Sequence, residues 1–156
     1  MKLGPYSAAA QAEVAQREFR QQQTRRLEEI LDRRRRVARL YMERLMTNRF
    51  LILPTLADDT HVSWFVFVVR LNDLFAPSDR DAIMQTLRES GIGCNNYFPP
   101  IHLQPYMMEA TGHKPGDFPV TEYVSARTLA LPFFTRMTRK QVDRVCDVLE
   151  KTLEKT

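Results

Sequence analysis

Residues Ser63 to Leu71 read SWFVFVVRL, an almost unbroken run of aromatic and β-branched residues. A run of this kind, too short for a membrane span and bounded by polar turns, predicts a β-strand covered on both faces. The stretch before it, NRFLILPTLADDTH (Asn48 to His61), contains Pro54 and an acidic cluster, and reads as a loop beside a possible short strand. Upstream, no Pro or Gly occurs from Ala8 to about Met46, and Leu27, Ile30, Leu31, Val37, Ala38, Tyr41 and Leu45 recur at threes and fours. That spacing predicts one long amphipathic helix or two collinear ones.

Downstream, APSDRDAIMQTLRES (Ala76 to Ser90) predicts a helix with Ser78 as N-cap and Asp81 three positions on, ended by Gly91. IGCNNYF (Ile92 to Phe98) reads as a shorter strand, and QPYMMEAT (Gln104 to Thr111) as a brief helix stopped by Gly112. PVTEYVSAR (Pro119 to Arg127) is a helix with Pro119 in its first turn, and TLALP (Thr128 to Pro132) is the third strand. The last helix starts at Thr138, with Gln141 completing a capping box and Val142, Val145, Cys146, Leu149 and Leu153 on its buried face. The expected fold class is α/β in the α+β sense: a small, mainly antiparallel sheet of about three strands covered by helices and preceded by a long helix. The 156 residues are expected to form a single domain, with a helical segment over 8–46 leading into a body over 50–156.

Composition narrows the function. Apolar residues make up 44% of the chain, enough for a core, and no run approaches the roughly 18 apolar residues of a membrane span. The N-terminal MKLGPYSAAAQ lacks the apolar block of a signal peptide, so a soluble, cytoplasmic protein with no membrane partner is expected. Cys94 and Cys146 have neither disulfide nor metal spacing and are expected to be buried or idle thiols. The arginines of Arg33 to Arg36 invite nucleic-acid binding, but Glu18, Glu28, Glu29, Asp32 and Glu43 are interleaved at pairing distance along the helix. Nucleic acid is therefore not the expected partner, although a stand-alone module binding nucleic acid or an acidic partner through this helix is the alternative reading.

Complete catalytic constellations fail in turn. Five unclustered glycines make no phosphate loop, and His61, His102 and His113 are not spaced as metal ligands. Lys2, Lys114, Lys140, Lys151 and Lys155 lie at a terminus, in a Gly-Pro turn or on the solvent side of the last helix, so none is a convincing Schiff-base nucleophile. One segment still looks chemical: GIGCNNYFPPIHLQPYM, Gly91 to Met107, sets amides, a phenol and an imidazole on a proline-stiffened backbone. On the residues alone, a structural account is the preferred one: Pro99 and Pro100 stiffen a crossing, Tyr97 packs, His102 caps the following helix, and the asparagines serve the turn.

Together the motifs resemble the C-terminal part of the DegT/StrS family of pyridoxal-phosphate-dependent sugar aminotransferases, of fold type I. RRRRVARLY (Arg33 to Tyr41) is similar to the family's arginine-rich helix, and SWFVFVVRL to its serine-aromatic strand ending in Val-Arg. GIGCNNYFPPIH matches its Gly-Ile turn and Tyr-x-Pro-x-His loop, and FPVTEYVSARTLALPFFTRMT its Pro helix, Leu-x-Leu-Pro strand and Met-Thr helix start. The matches run in the family's order from about residue 24 onward. Two departures stand out: the family's usual histidine after the strand aromatic is Phe65, and Pro5, Tyr6 and Ser7 do not preserve its Gly-x-Asn-x-Arg stretch.

The resemblance implies a small domain that closes an active site formed mainly by a preceding large domain, which supplies the cofactor platform and the Schiff-base lysine. The isolated chain is then expected to hold no cofactor and to be inactive alone, with pyridoxal phosphate in the intact enzyme. It implies substrate contacts from Tyr97 and His102, and more weakly from Asn95 and Asn96, to a nucleotide-linked keto sugar aminated from an amino-acid donor. A homodimer is expected, because the long helix and the strand would otherwise expose apolar surface.

Overall fold

The computed structural model describes residues 8–57 and 59–156; the departure expected over Pro5 to Ser7 lies outside the described residues. Helix α1 (Ala8–Leu45) is one continuous helix of 38 residues, about 57 Å at the α-helical rise. It is followed by β1 (Leu51–Ile52), β2 (Phe67–Leu71), α2 (Pro77–Glu89), a 3₁₀ turn over Ile101–Leu103, α3 (Pro105–Thr111), α4 (Pro119–Ser125), β3 (Thr128–Leu131) and α5 (Arg139–Leu153). The sheet is antiparallel in the order β1-β2-β3, with Leu51 opposite Leu71 and Phe67 opposite Leu131. This is the expected α+β architecture of helices around a small three-stranded sheet.

Burial alternates along β2: Phe67, Val69 and Leu71 are buried, while Val68 and Arg70 are half-exposed. The strand is thus covered on one face rather than two. It also starts four residues later than the apolar run predicts, because Trp64 adopts φ +42 and turns the chain. A non-glycine residue in that region costs about 1–3 kcal/mol. Stacking of the Trp64 ring on Phe67, centroids 5.6 Å apart, fixes the turn against the core. The strand expected over Ile92 to Phe98 shrinks to a single bridge between Asn95 and Ala130, and the third place in the sheet goes to β1.

Local signals fare unequally at the helix ends. On α5, the Gln141 amide donates to Thr138 Oγ1 (3.3 Å) and the Thr138 amide to Gln141 Oε1 (2.9 Å), completing the expected capping box. All five residues assigned to its inner face are buried. Helix α2 instead starts one residue before Ser78: Pro77 takes the first turn, Ala76 is the N-cap, and the Ala76 amide donates to Asp79 Oδ2 at 2.7 Å. Proline's fixed φ and missing amide suit that position, so Ser78 and Asp81 fall inside the helix.

The core forms where the second half of α1, α2, α5 and the inner face of the sheet meet. Val37, Ala38, Tyr41 and Leu45 are buried, whereas Leu27 is 55% exposed, so among the described residues the apolar face of α1 is covered only toward its C-terminal end. Arg44 holds α1 on α5 through Asp147 (2.6 Å) and Glu150 (2.8 Å). Within the arginine run, Arg33 pairs with Glu29 (3.8 Å), Arg35 with Asp32 (2.6 Å), and Arg36 donates to the Met137 carbonyl (2.6 Å). Both cysteines are buried, and burial pushes the Cys146 thiol up to about 12. Among the described residues no helix is long and apolar enough to cross a membrane.

Tyr41 is fully buried, stacked on Phe67 at 4.8 Å, and donates its hydroxyl to the Pro132 carbonyl at 2.7 Å. Tyr41→Phe keeps the stack and strands the carbonyl, so it should cost about 1–3 kcal/mol. The urea midpoint should fall with an unchanged slope; an unaltered midpoint would remove the hydrogen bond from the account.

Candidate functional site

The segment after α2 is built by backbone constraints. Gly91, at φ +77, ends the helix, and Ile92 and Cys94 then alternate into the core. Asn95 exchanges two backbone hydrogen bonds with Ala130, at 3.3 and 2.7 Å, which fastens the segment to the outer edge of β3. Its side chain accepts from Arg88 Nη2 (3.2 Å), and the same guanidinium reaches the Cys94 carbonyl (3.0 Å). Asn95 is therefore tied into the scaffold. Asn96 is half-buried beside it.

Tyr97 is half-buried between aromatic neighbours, 4.7 Å from Phe98 and 6.3 Å from Phe65 by ring centroids. Its hydroxyl has no hydrogen-bond partner among the described residues. Phe98 sits at φ +57 and is 64% exposed, and its carbonyl accepts the Ser125 hydroxyl at 2.9 Å. Tyr97, Phe98, Pro99, Pro100, Ile101, Val120 and Val124 line a groove of about 440 Å³. The groove is apolar, with hydroxyls from Thr121, Ser125 and Thr128, and no charged residue lines it. It can hold an apolar or sugar-like ring face and offer it one free phenol.

His102 is buried rather than presented. Its Nε2 meets Glu122 Oε1 at 2.9 Å, and its ring packs edge-on against Phe118 at 4.7 Å. Glu122 also accepts the Gly116 amide (2.9 Å) and the Phe118 amide (3.3 Å). The His102 hydrogen bond, then the two backbone amides, hold this carboxyl below its ordinary range, so it stays ionised and Nε2 carries the shared hydrogen. Asp117 is likewise lowered, first by the Lys114 amide (3.1 Å) and then by His113 Nδ1 (3.1 Å). Of the four residues expected to contact substrate, the fold thus sets Tyr97 on the groove, Asn95 in the sheet edge, Asn96 next to it and His102 behind, where it latches the loop to α4. The expected cap from His102 to the following helix is replaced by this bond to Glu122.

Glu122, Phe65 and Phe98 were not expected from the sequence. An acid in the first turn of α4 is unremarkable locally; its bond to a histidine twenty residues earlier arises only in the folded chain. Phe65, noted above as a departure, proves to be an aromatic neighbour of Tyr97.

A seat for pyridoxal phosphate needs a lysine facing a cleft. Lys114, Lys140, Lys151 and Lys155 are all exposed, and among the described residues no lysine lines the Tyr97 groove, the groove between α1 and Thr60 to Trp64, or the one beside His102. The described residues do not fit the cofactor.

Comparison with known proteins agrees with this fold. The DegT/DnrJ/EryC1/StrS aminotransferase family profile matches residues 17–150, and the chain belongs to that family. It is 30% identical over 128 residues to the spore coat polysaccharide biosynthesis protein SpsC of Bacillus subtilis strain 168, an overlap of 81% of this chain and 33% of that protein. The crystal structure of the aminotransferase TlmJ from Streptoalloteichus hindustanus superposes with a TM-score of 0.73 at 30% identity, over 85% of this chain and 34% of that one. DesV of S. venezuelae, solved in complex with a ketimine intermediate, gives 0.71 at 28% identity, over 83% and 33%. The chain spans about a third of the length of the relatives it matches.

Because the folded state lowers the Glu122 pKa, the group stabilises the protein above its ordinary value of 4.5, and this contribution is lost as pH falls through the lowered folded value. Glu122→Gln should therefore lower the melting temperature near neutral pH by more than it does at about pH 3. An equal deficit at both pH values would contradict the ionised latch.

Proposed function

We propose that this chain supplies the substrate wall of a pyridoxal-phosphate-dependent nucleotide-sugar aminotransferase: the small domain that closes over a cofactor seated elsewhere in the intact enzyme. Family membership and the sugar or polysaccharide roles in the names of its relatives support the reaction class. The observation that carries the reading is the Tyr97 groove: an uncharged, largely apolar trough with one free phenol, on a loop fixed to the sheet by Asn95 and to α4 by His102.

In this reading a keto sugar lies against the groove, and Tyr97 donates to or accepts from a sugar oxygen while the aromatic floor excludes water. His102 acts through the loop, with Asn96 as a secondary contact. The amino group comes from glutamate or another amino acid. The intact enzyme works as a cytoplasmic homodimer, with the exposed Phe19 and Leu27 of α1 covered in the assembly.

The test is Tyr97→Ala in the intact enzyme that carries this segment. Removing a single-sided contact should raise KM for the keto sugar about tenfold and leave KM for the amino donor and the melting temperature close to wild type. Unchanged sugar KM, or an equal loss for both substrates, would count against the groove as the sugar's resting place.

A further inference from the structure

Tyr97 and Phe98 are neighbours in the chain, yet both line the same groove. In extended backbone successive side chains point to opposite faces, so a straight segment would give the groove one ring and turn the other away. The chain instead turns at Phe98, which sits at φ +57, and the two ring centroids lie 4.7 Å apart. Nothing local favours this turn. A bulky side chain is strained in the left-handed region, and Pro99 pushes the residue before it toward extended backbone.

The turn is held from α4. The Ser125 hydroxyl donates to the Phe98 carbonyl at 2.9 Å. Ser125 is itself fixed through its backbone: its carbonyl accepts Arg80 Nη1 of α2 at 3.1 Å and the Thr128 hydroxyl of β3 at 3.3 Å. Those bonds occupy the carbonyl and leave the hydroxyl to the loop. Strain at one residue and a single hydrogen bond are of similar energetic size, so losing the bond is enough to let Phe98 relax. Relaxation toward extended backbone would return the two rings to opposite sides.

We infer that Ser125 is the positioning residue of this groove, an assignment that rests on the groove being the sugar's wall: through Phe98 it sets the direction in which Tyr97 points. Neighbouring elements are thereby linked in one chain of contacts, from Arg80 to Ser125 to Phe98 to Tyr97.

In the chain labelled with meta-fluorotyrosine, the Tyr97 resonance, identified by its loss in Tyr97→Phe, should shift in Ser125→Ala and stay in place in Ser125→Thr, which keeps the hydroxyl. In the intact enzyme that carries this segment, Ser125→Ala should raise KM for the keto sugar about fivefold, the size of one lost hydrogen bond, with kcat and the donor KM close to wild type. Ser125→Thr should restore the sugar KM. In a Tyr97→Ala background Ser125→Ala should add less than about twofold, because the group it positions is already gone. An unmoved Tyr97 resonance in Ser125→Ala overturns the assignment. So does a sugar KM that rises in Tyr97→Ala and not in Ser125→Ala, or an undiminished effect of Ser125→Ala in the Tyr97→Ala background, which would make Ser125 a direct sugar contact. A moved resonance with sugar KM unchanged in both single variants would leave Ser125 holding the turn and remove the sugar from the groove.

Discussion

The structure depends on the burial of Tyr41. Its ring lies flat on Phe67, at 4.8 Å and 18°, and its hydroxyl reaches past the sheet to the Pro132 carbonyl. One side chain thereby fixes α1 to the central strand and to the chain leaving β3. Met137, whose sulfur lies 3.7 Å from the same hydroxyl, sets the start of α5. Burial pushes the phenol pKa far up, so Tyr41 remains a neutral donor across any physiological pH. With α1, β2, β3 and α5 in register, the free edge of β3 is positioned for Asn95, and the Tyr97 loop follows from it.

Legibility in the sequence tracks the range of each signal. The α5 cap and inner face are local: Thr138 and Gln141 are three residues apart, and the apolar positions repeat within one helix. The long α1 is legible from its unbroken periodicity, but which of its turns meet a partner is not, and Leu27 carries the same apolar signal as Val37 while standing exposed. SWFVFVVRL overstates its strand because hydrophobicity cannot register a left-handed Trp64, whose place is set by a ring stack within the fold. In IGCNNYF, alternation is correct for Ile92 and Cys94, yet only Asn95 finds a pairing partner.

The candidate site divides along the same line. Tyr97 can be singled out by its chemistry and by family resemblance, and it borders the groove. His102 has the same pedigree, but its imidazole is committed to Glu122, a contact between the 3₁₀ turn and α4 that requires both elements to dock. The loop's shape thus rests on the His102–Glu122 hydrogen bond set back from the groove, while Tyr97 lines the groove with its hydroxyl unpartnered among the described residues. This division suits the proposed wall, which must hold its form while a substrate comes and goes, and among the described residues no lysine lines these grooves.

That last point is the most exposed to test. The chain is incubated with pyridoxal phosphate, any imine is reduced with borohydride, and the modified lysines are mapped by mass spectrometry. The account predicts slow, partial labelling spread over the exposed Lys114, Lys140, Lys151 and Lys155. Rapid stoichiometric labelling of a single lysine, abolished by replacing that lysine with arginine, would contradict it and place a cofactor seat within this chain.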